Sequence, residues 1–289
     1  MKINLIKGGI FPITKDENNC SIATNYLDTE LDIAGTIQGE GIYMGVPSLF
    51  LRTSGCNLRC LFTSKNKKHN FCDTFYSSFK PEINALETST IEAIIRNNIG
   101  NIKHLVITGG EPLLQANALV ELLEKIKDLE LIITIETNGT IYSEELAPYV
   151  HLFSISPKLF NSIPTEEKLK DINYYLTDIL IKQHEEERYD RLILRKYFSL
   201  ALQNNAPEIQ FKFVVTSKED IKEIVNNYLE LAGDLKEIWR ERFLLMPEGI
   251  TEEELKEKSK WLIGECIKNN FRFCPRLHID IYGGLLRYI

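Results

Sequence analysis

The stretch His104-Leu105-Val106-Ile107-Thr108-Gly109-Gly110-Glu111-Pro112 decides the fold class. Its first half, HLVIT, is an apolar run typical of a buried strand. A glycine pair follows the strand, and the leucine spacing of residues 116–129 (ANALVELLEKIKDL) predicts a helix directly afterwards. Strand, glycine turn and helix in this order form one βα unit of a parallel sheet. The glycines also let the backbone approach a ligand closely, and Glu111 places an acceptor beside it.

The same alternation of strand and helix repeats along the chain. We count about six βα units, fewer than the eight of a complete barrel, which predicts an α/β fold with a partial, incomplete TIM-like barrel. In such sheets functional residues gather in the loops after the strands. Predicted strands lie at 48–53, 104–108, 131–137, 152–156, 210–216 and 243–246, and predicted helices at 89–98 (capped by Ser89 or Thr88), 116–129, 143–148, 218–228 and 251–268; residues 271–273 and 278–281 are predicted to be extended.

Two segments break this alternation. Residues 1–30 are expected to form an irregular lead-in with a few extended residues. Residues 166–205 are long, charged and helix-like, which favours a helical insertion packed outside the sheet or against a partner, with a substrate lid as the alternative. No repeat or linker divides the chain, so a single domain over residues 1–289 is expected.

Composition narrows the classes of function. The 289 residues are 44% hydrophobic and 26% charged, with a net charge of -7, which is typical of a soluble globular protein and not of a nucleic-acid binder. No apolar run of signal-peptide length begins the chain, and none approaches the roughly 20 residues of a membrane span. These features predict a cytoplasmic protein without direct nucleic-acid or membrane partners. In that reducing compartment, cysteines are more often ligands, catalysts or packing residues than disulfides.

Three of the six cysteines, Cys56, Cys60 and Cys72, lie near one another in the sequence. Iron–sulfur clusters are held by cysteine thiolates, usually four for a cubane. A cluster held by three thiolates would leave one iron open to a small molecule. Zinc with His69 as its fourth ligand is the alternative that the spacing leaves open. The other cysteines are interpreted as small buried packing residues: Cys20, Cys266 and Cys274.

Two further polar stretches follow predicted strands. Glu136-Thr137-Asn138-Gly139-Thr140 either turns the chain through Asn-Gly alone or uses Glu136 and Asn138 as polar contacts. Ser156-Pro157-Lys158 ends the next strand, where Lys158 would direct a cation into the mouth of the sheet.

These motifs, in this order, resemble the radical S-adenosylmethionine superfamily. Within it the chain is most similar to the 7-carboxy-7-deazaguanine synthase family, over about residues 30–160 and 208–289. The superfamily pattern has two residues between its second and third cysteines, whereas eleven, residues 61–71, stand there in this chain. The narrower resemblance rests on Thr36–Gly41 (TIQGEG), Gly45-Val46-Pro47, Phe50-Leu51-Arg52, Gly55–Cys60 (GCNLRC), Cys72-Asp73-Thr74, Leu245-Met246-Pro247 and Arg276-Leu277-His278.

The resemblance implies a radical S-adenosylmethionine core, a [4Fe–4S] cluster on Cys56, Cys60 and Cys72, and a Mg²⁺ ion on Thr74. It implies contacts to S-adenosylmethionine from Gly110, Glu111, Glu136, Asn138, Ser156, Pro157 and Lys158. It implies contacts to the substrate from Ile37, Gln38, Gly39, Glu40, Arg52, Thr108 and His278.

The implied reaction contracts the ring of 6-carboxy-5,6,7,8-tetrahydropterin to 7-carboxy-7-deazaguanine with loss of ammonia, a lyase-type step of queuosine-type 7-deazapurine biosynthesis. The implied partners are a flavodoxin-type reductant and a second copy of the chain. A solvated loop is the favoured interpretation of Lys65, Lys67 and Lys68, with contact to the reductant as the alternative, and the copies could pair along residues 283–289. The alternatives are a glycyl-radical activating enzyme of the same superfamily and a zinc-binding module without chemistry.

Overall fold

The computed structural model describes residues 1–23, 32–63, 69–249 and 251–283. In these ranges the strands are β1 (Lys2–Phe11), β2 (Thr36–Ile37), β3 (Pro47–Thr53), β4 (Leu61–Thr63), β5 (His69–Phe71), β6 (Asn84–Glu87), β7 (His104–Gly109), β8 (Ile132–Thr137), β9 (Leu152–Ile155), β10 (Glu208–Val215), β11 (Phe243–Pro247) and β12 (Arg272–Phe273). The helices are α1 (Phe75–Ser78), α2 (Thr88–Asn98), α3 (Ala116–Lys125), α4 (Glu166–Asp171), α5 (Asp178–Glu187), α6 (Arg191–Leu200), α7 (Lys218–Glu223), α8 (Lys236–Trp239), α9 (Glu252–Asn269) and α10 (Leu277–Tyr282).

Ten of the described strands form one sheet, in the order β12-β11-β10-β9-β8-β7-β3-β1-β6, with β2 paired to β3. From β3 through β7, β8, β9, β10 and β11 every neighbouring pair is parallel. These six strands are the six predicted units, so the prediction of a partial α/β barrel is confirmed. The short β4–β5 hairpin stands apart from this sheet.

Alternation along the strands explains how the sheet separates its core from its inner face. On β10, Phe211 and Phe213 are fully buried in the main hydrophobic core, while Lys212, between them, faces the opposite side. On β3, Leu51 packs in the same core and its neighbour Arg52 faces inward. Apolar residues therefore hold the helices, and the polar residues between them line an interior space.

The expectation of an irregular lead-in is wrong for its first part. Strand β1 pairs antiparallel with both β3 and β6 and buries Leu5 and Phe11 completely. A register shift between Leu5 and Ile10, at Gly8-Gly9, interrupts the regular alternation and conceals the strand in the sequence. Gly9 is needed there, because a Cβ atom would lie 2.8 Å from the Arg52 carbonyl oxygen.

Three local predictions are also corrected. Residues 278–281 belong to helix α10, although their β-branched residues favour a strand, because tertiary contacts override this propensity. Residues 143–148 form only a turn, with a 3₁₀ segment at Ala147–Tyr149, because Pro148 disfavours the α-helical conformation of the residue before it. Helix α2 has Glu87 at its N-cap, and the Thr88 hydroxyl donates to Glu121 instead of capping.

The segment 166–205, here called the helical insertion, contains α4, α5 and α6. Its last helix buries Leu194, Tyr197 and Phe198 in the main core, so the insertion is part of the packed molecule. None of the helices in the described part of the chain is long and apolar enough to cross a bilayer.

Replacing Leu5 with Ala should lower the free energy of unfolding of the iron-free chain by about 2–5 kcal/mol, because a fully buried leucine leaves a cavity. Urea unfolding followed by circular dichroism measures this. Lys7→Ala, at an exposed position of the same strand, is the matched control. Equal stability of the two variants would contradict the assignment of residues 2–11 to the sheet.

Candidate active site

A cavity of about 540 Å³ opens among the loops that follow the parallel strands. This volume lies within the range of small-molecule and cofactor sites. Of the residues predicted from the sequence, Ile37, Glu111 and Pro157 do not line it. Those that line it are Gln38, Gly39, Glu40, Arg52, Cys56, Cys60, Cys72, Thr74, Thr108, Gly110, Glu136, Asn138, Ser156, Lys158 and His278.

The three predicted cluster ligands meet in this cavity despite the long segment between Cys60 and Cys72. The β4–β5 hairpin folds that segment back on itself, and the Cys72 N–H donates to the Cys60 carbonyl at 3.0 Å. Burial raises the pKa of Cys56 to about 12 and also raises the pKa of Cys60 and Cys72. Bound iron would supply the positive charge that favours the thiolates.

Donors also surround the sulfur atoms. The Leu58 N–H donates to the Sγ atom of Cys56 at 3.4 Å, and the Asn138 side-chain amide approaches the same atom at 3.9 Å. The Thr74 hydroxyl lies 3.2 Å from Sγ of Cys72. Hydrogen bonds to cysteine sulfur are among the means by which proteins tune iron–sulfur clusters. The residues present therefore fit a three-cysteine cluster site.

His69 does not join the cysteines. Its Nδ1 lies 3.2 Å from the Thr63 hydroxyl, and its Nε2 lies 3.1 Å from a carboxylate oxygen of Asp171. Across the described ranges, no group of three His, Cys, Asp or Glu side chains is placed to hold one metal ion. The arrangement gives no support to the zinc alternative.

Glu111 lies beneath the cavity and joins two of its loops. Its carboxylate is fully buried and accepts from the Thr137 hydroxyl at 2.8 Å, the Asn138 N–H at 2.7 Å and the Leu113 N–H at 3.0 Å. Burial raises the pKa of Glu111, while these donors favour its charged form. The loop after β7 is thereby fixed to the loop after β8.

A chain of charges crosses another wall of the cavity; Lys212, Glu40 and Arg276 are largely buried, and Asp73 at its end is exposed. Lys212 donates to Glu40 at 2.5 Å, Arg276 donates to the other oxygen of Glu40 at 3.0 Å, and Arg276 also reaches Asp73 at 2.7 Å. Burial alone would raise the pKa of Glu40, but the charges of Lys212 and Arg276 outweigh it and hold this pKa far below its usual range. Glu40 is therefore a carboxylate at neutral pH.

Lys212 and Arg276 were missed as site residues in the sequence. A lysine between two phenylalanines in the apolar strand QFKFVVT is the signal that could have identified Lys212. Arg276 stands in the Arg-Leu-His motif, of which only the histidine was singled out.

Glu136 joins the charged wall to the strand ends. It accepts from Gln38 at 3.2 Å and from the Thr108 hydroxyl at 2.9 Å, and Lys212 lies 3.5 Å away. Glu136 was predicted to contact the cofactor, but its neighbours are residues predicted to contact the substrate.

The 36–41 segment and helix α10 close this side of the cavity together. The Leu277 N–H donates to the Gly39 carbonyl at 3.0 Å, and a Cβ atom on Gly39 would lie 2.1 Å from Nδ1 of His278. Burial lowers the pKa of His278, so its imidazole is neutral at physiological pH. Glycine at this position lets the two segments approach.

Arg52 lines the cavity and carries a donor that has no partner among the described residues. Its side chain is buried, its guanidinium lies 5.6 Å from the centre of the Phe11 ring, and its Nε finds no hydrogen-bond partner among the described residues. Buried donors are normally satisfied, so an acceptor brought by a ligand fits here. A carboxylate matches the fork of the guanidinium.

Lys158 places a positive charge on the cysteine side of the cavity. Its ammonium donates to the carbonyl of Ser156 at 2.8 Å and to the hydroxyl of the same residue at 2.9 Å. Gly110 packs against the cysteine segment so closely that a Cβ atom would lie 2.2 Å from the Gly55 carbonyl oxygen. Lys65, Lys67, Lys68 and residues 284–289, which were named for partner contacts, lie outside the described residues.

Comparison with known proteins agrees with this geometry. The model of the radical SAM superfamily matches residues 50–262, and the chain belongs to this superfamily of enzymes, which use a [4Fe–4S] cluster and S-adenosylmethionine. A 7-carboxy-7-deazaguanine synthase of Halobacterium salinarum is 36% identical over 252 residues, 86% of this chain and 88% of that protein. A protein of the same name from Rhodopirellula baltica is 34% identical over 85% of this chain and 83% of its own length.

Within the superfamily, the chain therefore belongs to the 7-carboxy-7-deazaguanine synthase family. The crystal structure of QueE from Escherichia coli covers 96% of this chain and 95% of its own, with 20% identity and a TM-score of 0.54. At that identity the structural likeness shows the fold alone.

Replacing Glu111 with Gln should lower the free energy of unfolding of the iron-free chain by about 3 kcal/mol, because an amide nitrogen would face at least one buried N–H donor. Urea unfolding measures the effect, with Glu130→Gln at an exposed position as the control. A Glu111→Gln chain as stable as its control would show that the carboxylate does not hold these loops.

Proposed function

We propose that the chain is a carbon–nitrogen lyase that converts 6-carboxy-5,6,7,8-tetrahydropterin to 7-carboxy-7-deazaguanine and ammonia. The observation that carries the proposal is one cavity lined by three cysteines, by Arg52, whose Nε has no partner among the described residues, and by the carboxylate of Glu40. Family membership supports the same reaction, since the matched relatives carry the name of this synthase. The names of these relatives give no support to the alternative function of a glycyl-radical activating enzyme.

Cys56, Cys60 and Cys72 would hold the cluster, and Gly110, Asn138, Ser156 and Lys158 line the cavity where S-adenosylmethionine would lie beside it. When bound, the cluster and S-adenosylmethionine supply abstraction of a hydrogen atom from the substrate by a 5′-deoxyadenosyl radical. The protein places the reactants and excludes water.

The remaining wall provides complementary groups for a carboxylated pterin. Arg52 would bind the substrate carboxylate through its guanidinium, since this residue lines the cavity. Glu40 and Glu136 are acceptors for the N–H groups of the pyrimidine half, with Gln38 and Thr108 holding Glu136 in place. Lys212 keeps its positive charge, because Glu136 and Glu40 outweigh burial and raise its pKa.

The cavity also offers oxygen atoms that would hold a Mg²⁺ ion. The Thr74 hydroxyl lines the cavity next to Cys72, and the Asp73 carboxylate stands beside it, paired with Arg276. Magnesium prefers such oxygen ligands and keeps several waters. We propose Thr74 as its protein ligand, with substrate oxygens and water completing the shell.

The partners remain those predicted from the sequence. We propose a flavodoxin-type electron donor, because the reaction needs one electron for each cleavage of S-adenosylmethionine. A homodimer is proposed as well. A cytoplasmic location is proposed because a reducing compartment keeps the six unpaired cysteines as thiols.

The reaction is tested by anaerobic reconstitution with iron and sulfide, followed by S-adenosylmethionine, Mg²⁺, a reductant and 6-carboxytetrahydropterin. Mass spectrometry should show a product lighter than the substrate by one ammonia, formed only with S-adenosylmethionine present. Cleavage of S-adenosylmethionine without this product would keep the superfamily and reject the substrate. Zinc binding in place of a cluster would reject both.

Replacing Arg52 with Lys should raise the KM for the carboxylated pterin about tenfold, the effect of losing one charge-assisted hydrogen bond, because an ammonium lacks the guanidinium fork. Steady-state kinetics measure this, with Arg191→Lys at an exposed position as the control. An unchanged KM, or an equal change in the control, would remove Arg52 from the substrate site.

A further inference from the structure

The helical insertion contacts the cysteine loop, defined as residues 56–61, directly. The main-chain N–H of Arg59 donates to Nδ1 of His184 at 3.0 Å. Two residues earlier, the Asn57 side-chain amide donates to a carboxylate oxygen of Glu187 at 3.0 Å. Both acceptors lie on α5, so one helix holds two alternate residues of the loop.

The hydrogen bonds of His184 define its tautomer. The side chain is fully buried, and its Nε2 lies 3.2 Å from the Ser162 hydroxyl, which itself donates to the Leu159 carbonyl at 2.7 Å. The Ser162 oxygen therefore accepts, and Nε2 carries the proton. The Nδ1 lone pair is left to accept the N–H of Arg59, the residue immediately before Cys60.

A third contact is made at Leu61, two residues after Arg59. The Lys168 ammonium, on α4, donates to the Leu61 carbonyl at 2.9 Å. It also donates to the carbonyls of Asn161 at 2.7 Å and Ile163 at 2.8 Å. One side chain thus joins the end of the cysteine loop to the segment that leads into the insertion.

Apolar packing extends the contact along the β4–β5 hairpin. Leu61 is buried together with Leu169 and Leu176 of the insertion. The ring of Phe71, the residue before Cys72, lies 5.0 Å from the ring of Tyr174 in an edge-on arrangement. The insertion therefore contacts the first and the last residue of the eleven-residue segment between Cys60 and Cys72.

A longer loop costs more conformational entropy to close, and contacts that order the segment between two ligands offset this cost. We propose that the helical insertion is this support and that His184 is its central positioning residue for the cysteine loop. The inference rests on the proposed function only in taking Cys56, Cys60 and Cys72 as the cluster ligands. His184 holds the loop through the backbone and does not contact the cluster.

Three substitutions in the full chain separate this role from packing. In His184→Asn the Oδ1 atom takes the position of Nδ1 and can still accept the Arg59 N–H. In His184→Gln the polar atoms reach the position of Nε2 and can keep only the Ser162 contact. His184→Ala keeps neither, and Glu185→Ala, exposed on the same helix, is the control.

Each reconstituted protein is challenged with a ferrous chelator, and the reduced cluster is examined by electron paramagnetic resonance. Loss of partners that orient metal ligands typically lowers metal affinity 10–100-fold. Iron should therefore leave His184→Gln and His184→Ala at least about tenfold faster than the unsubstituted chain. His184→Asn and the control should match that chain in rate and spectrum. In the iron-free proteins, amide hydrogen exchange of residues 56–61 should rise only in His184→Gln and His184→Ala.

The asparagine and glutamine variants decide the question even if the alanine variant does not fold. Equal iron release, spectra and exchange in these two variants would overturn the role of His184. An unsubstituted chain that takes up no cluster would overturn the proposed function and this inference together. A normal cluster that is insensitive to every His184 variant would overturn the inference alone.

Discussion

The ion pairs of the Glu40 carboxylate with Lys212 and Arg276 are the interaction that holds the walls of the site together. Removing one member of such a group leaves an uncompensated buried charge, which costs several kcal/mol. The three residues come from the 36–41 segment, strand β10 and the start of helix α10, which are far apart in the sequence. Arg276 extends the group to Asp73, next to the third cysteine. The charges thus hold the 36–41 segment and the start of helix α10 against strand β10 at one cavity.

The fold could be predicted because parallel strands buried on both faces appear as continuous apolar runs, as in HLVIT and LIITIET. Strand β1 could not, because its glycine pair and register shift break the alternation by which a half-buried strand is recognised. Helix α10 could not either, since six residues rich in isoleucine carry no helical signal. Its conformation depends on contacts with the 36–41 segment, which no local pattern contains.

The candidate site was predictable to the extent that motifs at strand ends must converge at one edge of a parallel sheet. What a motif does not give is the direction of each side chain. Arg52 lies near the end of β3 and Glu111 just after the end of β7. Glu111 turns under the loops to satisfy three donors, whereas Arg52 lines the cavity. Lys212 was missed because no motif marks it. Its position in a buried strand has meaning only once Glu40 and Glu136 are known to face it.

The hairpin between Cys60 and Cys72 and the helical insertion share a hydrophobic cluster that is separate from the main core. Leu61 and Phe71 have little of the main sheet to pack against, because their hairpin stands apart from it. Leu169 lies in the short helix α4, which would be marginal alone, and Tyr174 lies in the segment between α4 and α5. Burying these surfaces together offsets the entropy of ordering both segments. A change in the length of either segment would therefore act on the cysteines through the other.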